Sequence, residues 1–276
     1  MTFKYPSVLA IAGSDSGGGA GIQADIKTIS ALGCFATCAI TAITVQNTVG
    51  VTAIHSVPAE TVRDQIKAVM DDIRPDVIKI GMIHSKELAI IVAETLQQYP
   101  AVTVIFDPVM VAASGDILIE DETIAVLKEY LFPLATVVTP NLDEAIILSG
   151  LMIRNVDEMK AAAHRILQTG CKAVLLKGGH LKSDAVFDLY VDQSGKELLS
   201  KSDYIPTHNI HGAGCTLSAA IAAYRAIGYT IEDAVQQAHT YIHQAIEQGK
   251  DVKTGDGNGP LNHFYNPQKL IKHKMK

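Results

Sequence analysis

The chemistry-bearing residue types concentrate in His-Gly-Ala-Gly-Cys-Thr at 211–216, directly before a strong helical run from Leu217 to Ile227. A loop of this kind can turn the backbone N–H groups of Ala213, Gly214 and Cys215 toward one point at a helix N-terminus, where unpaired donors and partial positive charge favour a phosphate. The same position predicts an acidic thiol. A free cysteine near 8.5 falls to roughly 3.5–7.5 at such a site, which would let Cys215 act as base or nucleophile near neutral pH. An isolated GxGC serves equally well as a turn with a small buried cysteine, so the other polar groups must decide. A second glycine cluster, Gly13 to Gly21, follows the apolar run Ser7–Ala12 and precedes helical spacing over Ile22–Leu32.

The elements that would position these groups alternate. Strand-like runs at Cys34–Val45, Val51–Val57, Asp76–Ile80, Val102–Phe106, Thr136–Val138 and Lys172–Leu176 are interleaved with helical patterns opening at Pro58, Lys86, Thr123, Leu142 and Val156. Asp184–Val191 and Glu197–Asp203, around Asp192-Gln193-Ser194-Gly195, read as an antiparallel edge hairpin, and a last helix covers Ile231–Gln248. The pattern predicts a three-layer α/β/α sandwich: a mostly parallel sheet with helices on both faces, in a single domain over 1–276. In such sheets ligands gather beyond the carboxyl ends of the strands, which makes Gln46, at the end of its run, a candidate ligand residue.

Composition narrows the function. Apolar residues make up 48% of the 276 and charged ones 19%, with a net charge of -6 and no Lys/Arg-rich run, so neither nucleic acid nor an anionic membrane is an expected partner. No apolar stretch reaches the length of a membrane span. Four cysteines, at 34, 38, 171 and 215, show no paired CxxC spacing; a reducing cytoplasm is expected, with Cys34 and Cys38 as small core fillers on one side of their strand. Gly19-x-Gly21-x-x-Ala24 fits a loose dinucleotide fingerprint, but Thr44, Val45 and Gln46 stand where its acidic residue belongs, and GxxxxGK[ST] is absent.

Eight ordered motifs carry a family resemblance over nearly the whole chain: GSDSGGGAGIQADIKT at 13–28, TVQNT at 44–48, KIGM at 79–82, DPVM at 107–110, TPNLDEA at 139–145, KGGH at 177–180, HGAGCTLSAA at 211–220 and GDGNGPLNHF at 255–264. The chain resembles the ribokinase-like superfamily and, within it, the hydroxymethylpyrimidine and phosphomethylpyrimidine kinases of thiamine synthesis. The resemblance implies two successive transfers of the ATP γ-phosphoryl group, first to 4-amino-5-hydroxymethyl-2-methylpyrimidine and then to its monophosphate. It also implies a ribokinase-like fold and a homodimer, and leaves open whether K⁺ is needed.

Roles follow for individual residues. Gly212, Ala213, Gly214 and Cys215 form the expected catalytic anion cradle. Asp107 and Glu144, each just past a strand, are hard oxygen donors suited to Mg²⁺, partly through waters. Lys177, at a strand end, can neutralise ATP phosphate charge, and the resemblance adds Asn141 and His211, with Gly212 and Gly214, to the ATP site. It places Gly13, Asp25, Gln46, Met82, Val109 and Cys215 around the pyrimidine. The carboxamide of Gln46 matches an exocyclic amino group beside a ring nitrogen, and Met82 and Val109 can pack on the ring. Two departures stand out: sugar kinases of this fold carry an aspartate base where this chain has Cys215, and Asp256 replaces an expected histidine in the tail motif, whereas His263 keeps its place. The competing readings are a pyridoxal kinase, main or side activity, a nicotinamide-dependent oxidoreductase and a non-catalytic nucleotide sensor.

Overall fold

The computed structural model describes residues 1–110, 119, 121–179 and 185–275. His180, which ends one motif, and Asp184, at the start of the expected hairpin, lie outside the described residues. Strands β1 (Phe3–Lys4), β2 (Ser7–Ser14), β3 (Phe35–Gln46), β4 (Val51–Ser56), β5 (Val77–Ile80), β6 (Thr103–Phe106), β7 (Val137–Val138), β8 (Ala173–Lys177), β9 (Ala185–Asp192), β10 (Glu197–Asp203) and β11 (His273–Lys274) form two sheets. One is a two-stranded pair, β1 with β11; the other has nine strands in the order β10-β9-β8-β7-β6-β5-β2-β3-β4. From β8 to β3 every pairing is parallel. β9 and β10 add the expected antiparallel hairpin.

Helices α1 (Gly21–Ala31), α7 (Ala213–Ile227) and α8 (Ile231–Glu247) cover one face, and α2 (Ala59–Asp72), α3 (Lys86–Leu96), α4 (Asp121–Val126), α5 (Leu142–Ser149) and α6 (Val156–Leu167) the other. The three-layer sandwich is therefore as the alternation predicts. Central strands such as β2, whose Val8, Leu9, Ala10 and Ile11 are all fully buried, read as unbroken apolar runs because both of their faces are covered. Side-chain alternation sorts them: Leu9, Ile78, Val104, Phe106 and Leu176 join the core under α2–α6, whereas Val8, Val77, Ile105, Val137 and Leu175 join the one under α1, α7 and α8. Asp107 and Lys177, two residues beyond Ile105 and Leu175, continue toward the α7 face.

Three local departures have physical causes. The 51–57 run is antiparallel to β3, because only a tight turn joins them, closed by Asn47 Oδ1 accepting from Val49 N and Gly50 N; a parallel return needs a crossover of a dozen or more residues. The helix expected over Thr123–Leu131 is α-helical only to Val126, then π-helical over Leu127–Leu131 and 3₁₀ over Phe132–Leu134, as Pro133 cannot supply the N–H that would continue it. Cys34 falls just before β3 and is buried with its Sγ on Ala223 O at 3.5 Å, while Cys38 is only half-buried, so the two do not form one filled stripe. Among the described residues no helix is long and apolar enough to cross a membrane.

Phe106, 1% exposed and edge-to-face with Phe132 at 5.5 Å, holds the end of β6 that presents Asp107. Phe106→Ala should lower unfolding stability by about 3–5 kcal/mol. A urea unfolding midpoint that matched the parent's would show that β6 is held elsewhere.

Candidate functional site

The first glycine loop is organised by a residue the sequence reading passed over. Asp15 is 2% exposed and accepts backbone N–H groups from Gly17 at 2.8 Å, Gly19 at 3.0 Å and Ala20 at 2.8 Å. Its Oδ2 also meets His211 Nε2 at 2.8 Å. Burial pushes the Asp15 carboxyl up, but the hydrogen bond and charge of His211 and the backbone donors outweigh it and hold the group below its usual value. A signal existed: a short acidic side chain at the head of a glycine run commonly folds back on the N–H groups that follow. His211, expected on ATP, is buried and faces Asp15. It ties the two loops together.

The second loop is drawn into helix α7, which starts at Ala213 and so places Cys215 inside its first turn. Gly212 is its N-cap at φ +85°, a left-handed conformation that glycine adopts without strain. A Cβ there would lie 1.8 Å from Gly19 O, and one at Gly19 2.3 Å from His211 Cδ2, so each loop needs the other's glycine. The cradle is smaller than expected. Ala213 N–H is spent on Ile210 O at 3.0 Å, which leaves the donors of Gly214 and Cys215 for an anion at the helix terminus.

The acidic thiol predicted for Cys215 is corrected. Burial pushes it up to about 11, with Asp25 and Asp107 adding to the rise, and neither Lys79 nor the N–H of Gly21 offsets this. The helix terminus alone does not set the thiol: Cys215 is half-buried in the cavity wall, and its desolvation outweighs the terminus.

Beside the loop stands a charge cluster. Asp107, 1% exposed, accepts from Lys177 Nζ at 2.8 Å and Thr139 Oγ1 at 3.0 Å on Oδ1, and from Ser218 Oγ at 3.3 Å on Oδ2. Burial works against its charge, but Lys177 and then Lys79 hold it below the usual carboxylate range. Lys177 in turn lies over the glycine loop, since a Cβ at Gly214 would be 3.0 Å from its Nζ. Glu144 is a cap as well as a candidate ligand. It completes a capping box with Asn141 at the start of α5, its Oε2 accepting from Asn141 N at 2.8 Å and its Oε1 from Met110 N at 3.3 Å. Burial pushes Glu144 up to about 7. Asn141 spends its own Oδ1 on Glu144 N at 2.9 Å.

Two carboxylates that keep unused lone pairs, with their remaining ones on fixed donors, fit a hydrated Mg²⁺ held largely through its waters. Among the described residues no three His, Cys, Asp or Glu side chains cluster for direct coordination.

Asp15, Asp107, Glu144, Lys177, His211 and Cys215 line one cavity of about 690 Å³, which also takes in Gly13, Gln46, Met82 and Val109. A Cβ at Gly13 would lie 2.6 Å from Met82 Cε, the flexible end of that side chain, so Met82 would have to shift to admit it. The Gln46 backbone is fixed by Ser16, whose hydroxyl donates to Gln46 O at 2.6 Å and accepts from Gln46 N at 2.9 Å; its carboxamide lies 3.0 Å from Thr44 Oγ1, which donates its proton to Ser14 O at 2.7 Å. The tail motif packs on the turn that follows Gln46, Asn258 N donating to Thr48 O at 2.9 Å. Within that tail, Asp256 is exposed and pairs with Lys253, whereas His263 is buried against Thr216 Oγ1 at 3.1 Å. Asp25, expected around the pyrimidine, is fully buried and paired with Lys79, so it is no surface residue, and it does not line the cavity.

A family model for phosphomethylpyrimidine kinase matches residues 15–262. The chain belongs to the phosphomethylpyrimidine kinase family. A hydroxymethylpyrimidine/phosphomethylpyrimidine kinase of Rhizobium meliloti is 49% identical over 93% of this chain and 96% of its own. A probable thiamine biosynthetic bifunctional enzyme of rice is 44% identical over 95% of this chain, which spans about half (48%) of that protein's length. Among solved structures, phosphomethylpyrimidine kinase from Clostridium difficile 630 superposes with a TM-score of 0.77 at 44% identity, over 87% of this chain and 99% of that one. Pyridoxal kinase from Staphylococcus aureus, solved with AMP-PCP and pyridoxal, superposes with a TM-score of 0.87 at 35% identity, over 96% of each chain. The ribokinase-like vitamin-kinase fold is thereby shown.

Because Gly212 combines a left-handed φ with contact on Gly19 O, Gly212→Ala should strain the loop by about 1–3 kcal/mol and open the Asp15–His211 contact. Turnover should fall much further than the thermal midpoint does. Parent-like turnover in this variant would show that the two loops do not need to touch.

Proposed function

We propose that this protein is a hydroxymethylpyrimidine/phosphomethylpyrimidine kinase, transferring the γ-phosphoryl group of ATP first to the alcohol of 4-amino-5-hydroxymethyl-2-methylpyrimidine and then to its monophosphate. The observation that carries the reading is the convergence, in one cavity, of the open N–H groups of Gly214 and Cys215, the Lys177–Asp107 pair and the carboxamide of Gln46. Phosphoryl transfer needs positioning and charge stabilisation more than covalent chemistry from the protein. Gly214, Cys215 and Lys177 supply donors and positive charge for the phosphates. Asp107 and Glu144 would hold Mg²⁺, whose contribution is to neutralise charge on the β- and γ-phosphates.

In the first step the acceptor O–H bond breaks as its oxygen bonds the γ-phosphorus, and the bond from phosphorus to the β–γ bridging oxygen breaks to release ADP. Cys215, as thiolate, would take the proton and return it to solvent after product leaves. In the second step the acceptor oxygen is already anionic, and no base is required. Asp25 underlies the pyrimidine end, with Gly13, Met82 and Val109 against the ring and Gln46 reading its amino edge.

The homodimer belongs to this reading, supported by the exposed edge strand β4 and the exposed apolar side chains of Ile43, Val45 and Ile54 beside it. So does a reducing cytoplasm, supported by four unpaired cysteines. A pyridoxal side activity is favoured by the close superposition on a pyridoxal kinase. K⁺ dependence is an open arm of the same assays.

ADP release should appear with the hydroxymethylpyrimidine as acceptor and stay at background without one; release with pyridoxal alone would reverse the two acceptors. Gln46→Leu should weaken the pyrimidine by about 1–3 kcal/mol in KM, with the KM for ATP little changed. Equal shifts in both constants would remove Gln46 from the acceptor site.

Cys215→Ala keeps the backbone cradle, so it should slow the alcohol step by roughly 10²–10⁴-fold and the monophosphate step far less. Because a free-enzyme thiol near 11 is protonated at neutral pH, kcat/KM for the alcohol should rise with pH throughout the approach to that value. A plateau starting near neutral pH, or equal losses in both steps, would mean that Cys215 positions the substrate and is not the base.

A further inference from the structure

Lys177 ends β8, and the chain beyond it is held by a carboxylate that has no part in the anion cradle, the metal pair or the acceptor end. Lys177 and Asp188 are the last facing pair of the antiparallel β8–β9 ladder. Past that pair the next backbone donor, Gly178 N, goes to the side chain of Asp188, whose Oδ1 accepts it at 3.0 Å. Glycine permits the approach: a Cβ at 178 would lie 1.9 Å from Phe187 O, the carbonyl that precedes Asp188. The other carboxylate oxygen, Oδ2, meets Nδ1 of His239, from α8, at 2.9 Å. Asp188 is 7% exposed, and both it and His239 line the cavity.

A carboxylate is a poor choice for that wall if lining the cavity is all it does, because phosphates entering the cavity would be repelled by it. Its two oxygens answer another need. A carboxylate accepts on both, here from β8 and from α8 at once, whereas an amide of the same shape offers one acceptor oxygen. Lys177 is thereby pinned on both sides of its own residue. Its N–H donates to Pro140 O at 2.9 Å, and the N–H that follows donates to Asp188. From that fixed backbone its Nζ reaches Asp107 Oδ1 at 2.8 Å and lies 3.0 Å from where a Cβ on Gly214 would be, above the first turn of α7.

We propose that Asp188, braced by His239, is a positioning residue that holds the end of β8 so that the Lys177 ammonium stays over the anion cradle. This rests on the kinase reading above, in which Lys177 meets the phosphates of ATP. Asp188 acts through the Gly178 peptide and not on the nucleotide, toward which its own charge has the unfavourable sign. The two roles have opposite consequences. Removing a carboxylate that only faced the cavity would tighten nucleotide binding, whereas releasing the end of β8 weakens it.

The test compares two uncharged substitutions in the full chain: Asp188→Asn keeps an oxygen for Gly178 N, and Asp188→Leu does not. Relative to Asp188→Asn, Asp188→Leu should lower kcat about tenfold, within the roughly 10²-fold that a displacement of one ångström can cost. It should also weaken Mg²⁺–AMP-PCP, read by calorimetry, and leave the KM for the pyrimidine unchanged. Equal values for the two variants overturn the proposal. When Lys177→Met is added to each, the two should bind the analogue alike; a difference that persists means Asp188 does not act through Lys177, and overturns it too. Should Asp188→Leu not fold, the brace carries the test: His239→Gln keeps a donor for Oδ2 and His239→Leu does not, so only the second should weaken the analogue, and equal affinities overturn the proposal. A parent protein inactive on the pyrimidine would instead overturn the kinase reading, while the analogue affinities still report where Lys177 is held.

Discussion

One carboxylate decides whether this molecule has a site. Asp15 gathers three N–H groups of its own loop and the ring of His211 from the loop before α7, so the openings of α1 and α7 are fixed against each other. Glycine is required on both sides of that seam, because Gly212 and Gly19 approach more closely than a Cβ permits. The consequence is electrostatic. Two helix N-termini face one cavity, and a buried acid that would otherwise be costly is compensated by fixed donors.

The charged groups are confined to one face of the sheet. Lys79, Asp107 and Lys177 follow strand residues that point toward α1 and α7, while the opposite face is packed with Phe106, Ile80 and Leu176. An apolar wall on one side and paired charges on the other keep the local dielectric low, which strengthens each interaction and raises the cost of any unpaired ion. Every acid in the cluster is therefore engaged. Asp107 takes a lysine and two hydroxyls, Glu144 caps α5 while it faces the cavity, and Asp25 locks Lys79. Such groups hold their geometry before a ligand arrives, the condition for electrostatic stabilisation in phosphoryl transfer.

The alternation of apolar runs and helical spacing made the layers readable, and the strand ends at Gln46, Asp107 and Lys177 pointed at the cavity. What was not readable has a common cause: it depends on which polar group another segment brings close. Asp15 and Lys79 stood inside recognised motifs, but only the fold shows one accepting from two loops and the other paired across 54 positions of sequence. Cys215 failed in the instructive direction. Its helix terminus was foreseen, and the desolvation that outweighs it was not. His211 was legible as a site residue, yet its ring serves the seam between loops. The β3–β4 hairpin was within reach, as four residues cannot make a parallel crossover.

Backbone shape does not select the acceptor. The chain superposes on a pyridoxal kinase with a TM-score of 0.87 at 35% identity, and on a phosphomethylpyrimidine kinase with 0.77 at 44% identity. Overall geometry and sequence thus rank the two neighbours in opposite orders. A frame shared by both must leave discrimination to a few side chains at the acceptor end, where a flat ring is held by apolar contacts worth little in selectivity and by hydrogen bonds whose mismatch is expensive. On the proposed reading the polar reader at that end is Gln46, whose backbone is held by Ser16, whose carboxamide lies beside Thr44, and whose turn is backed by the tail through Thr48. An amide held in one orientation offers a donor and an acceptor side by side, which suits an amino group next to a ring nitrogen better than it suits a phenolic oxygen. On that reading, the preference for an aminopyrimidine rests on how firmly that one carboxamide is held.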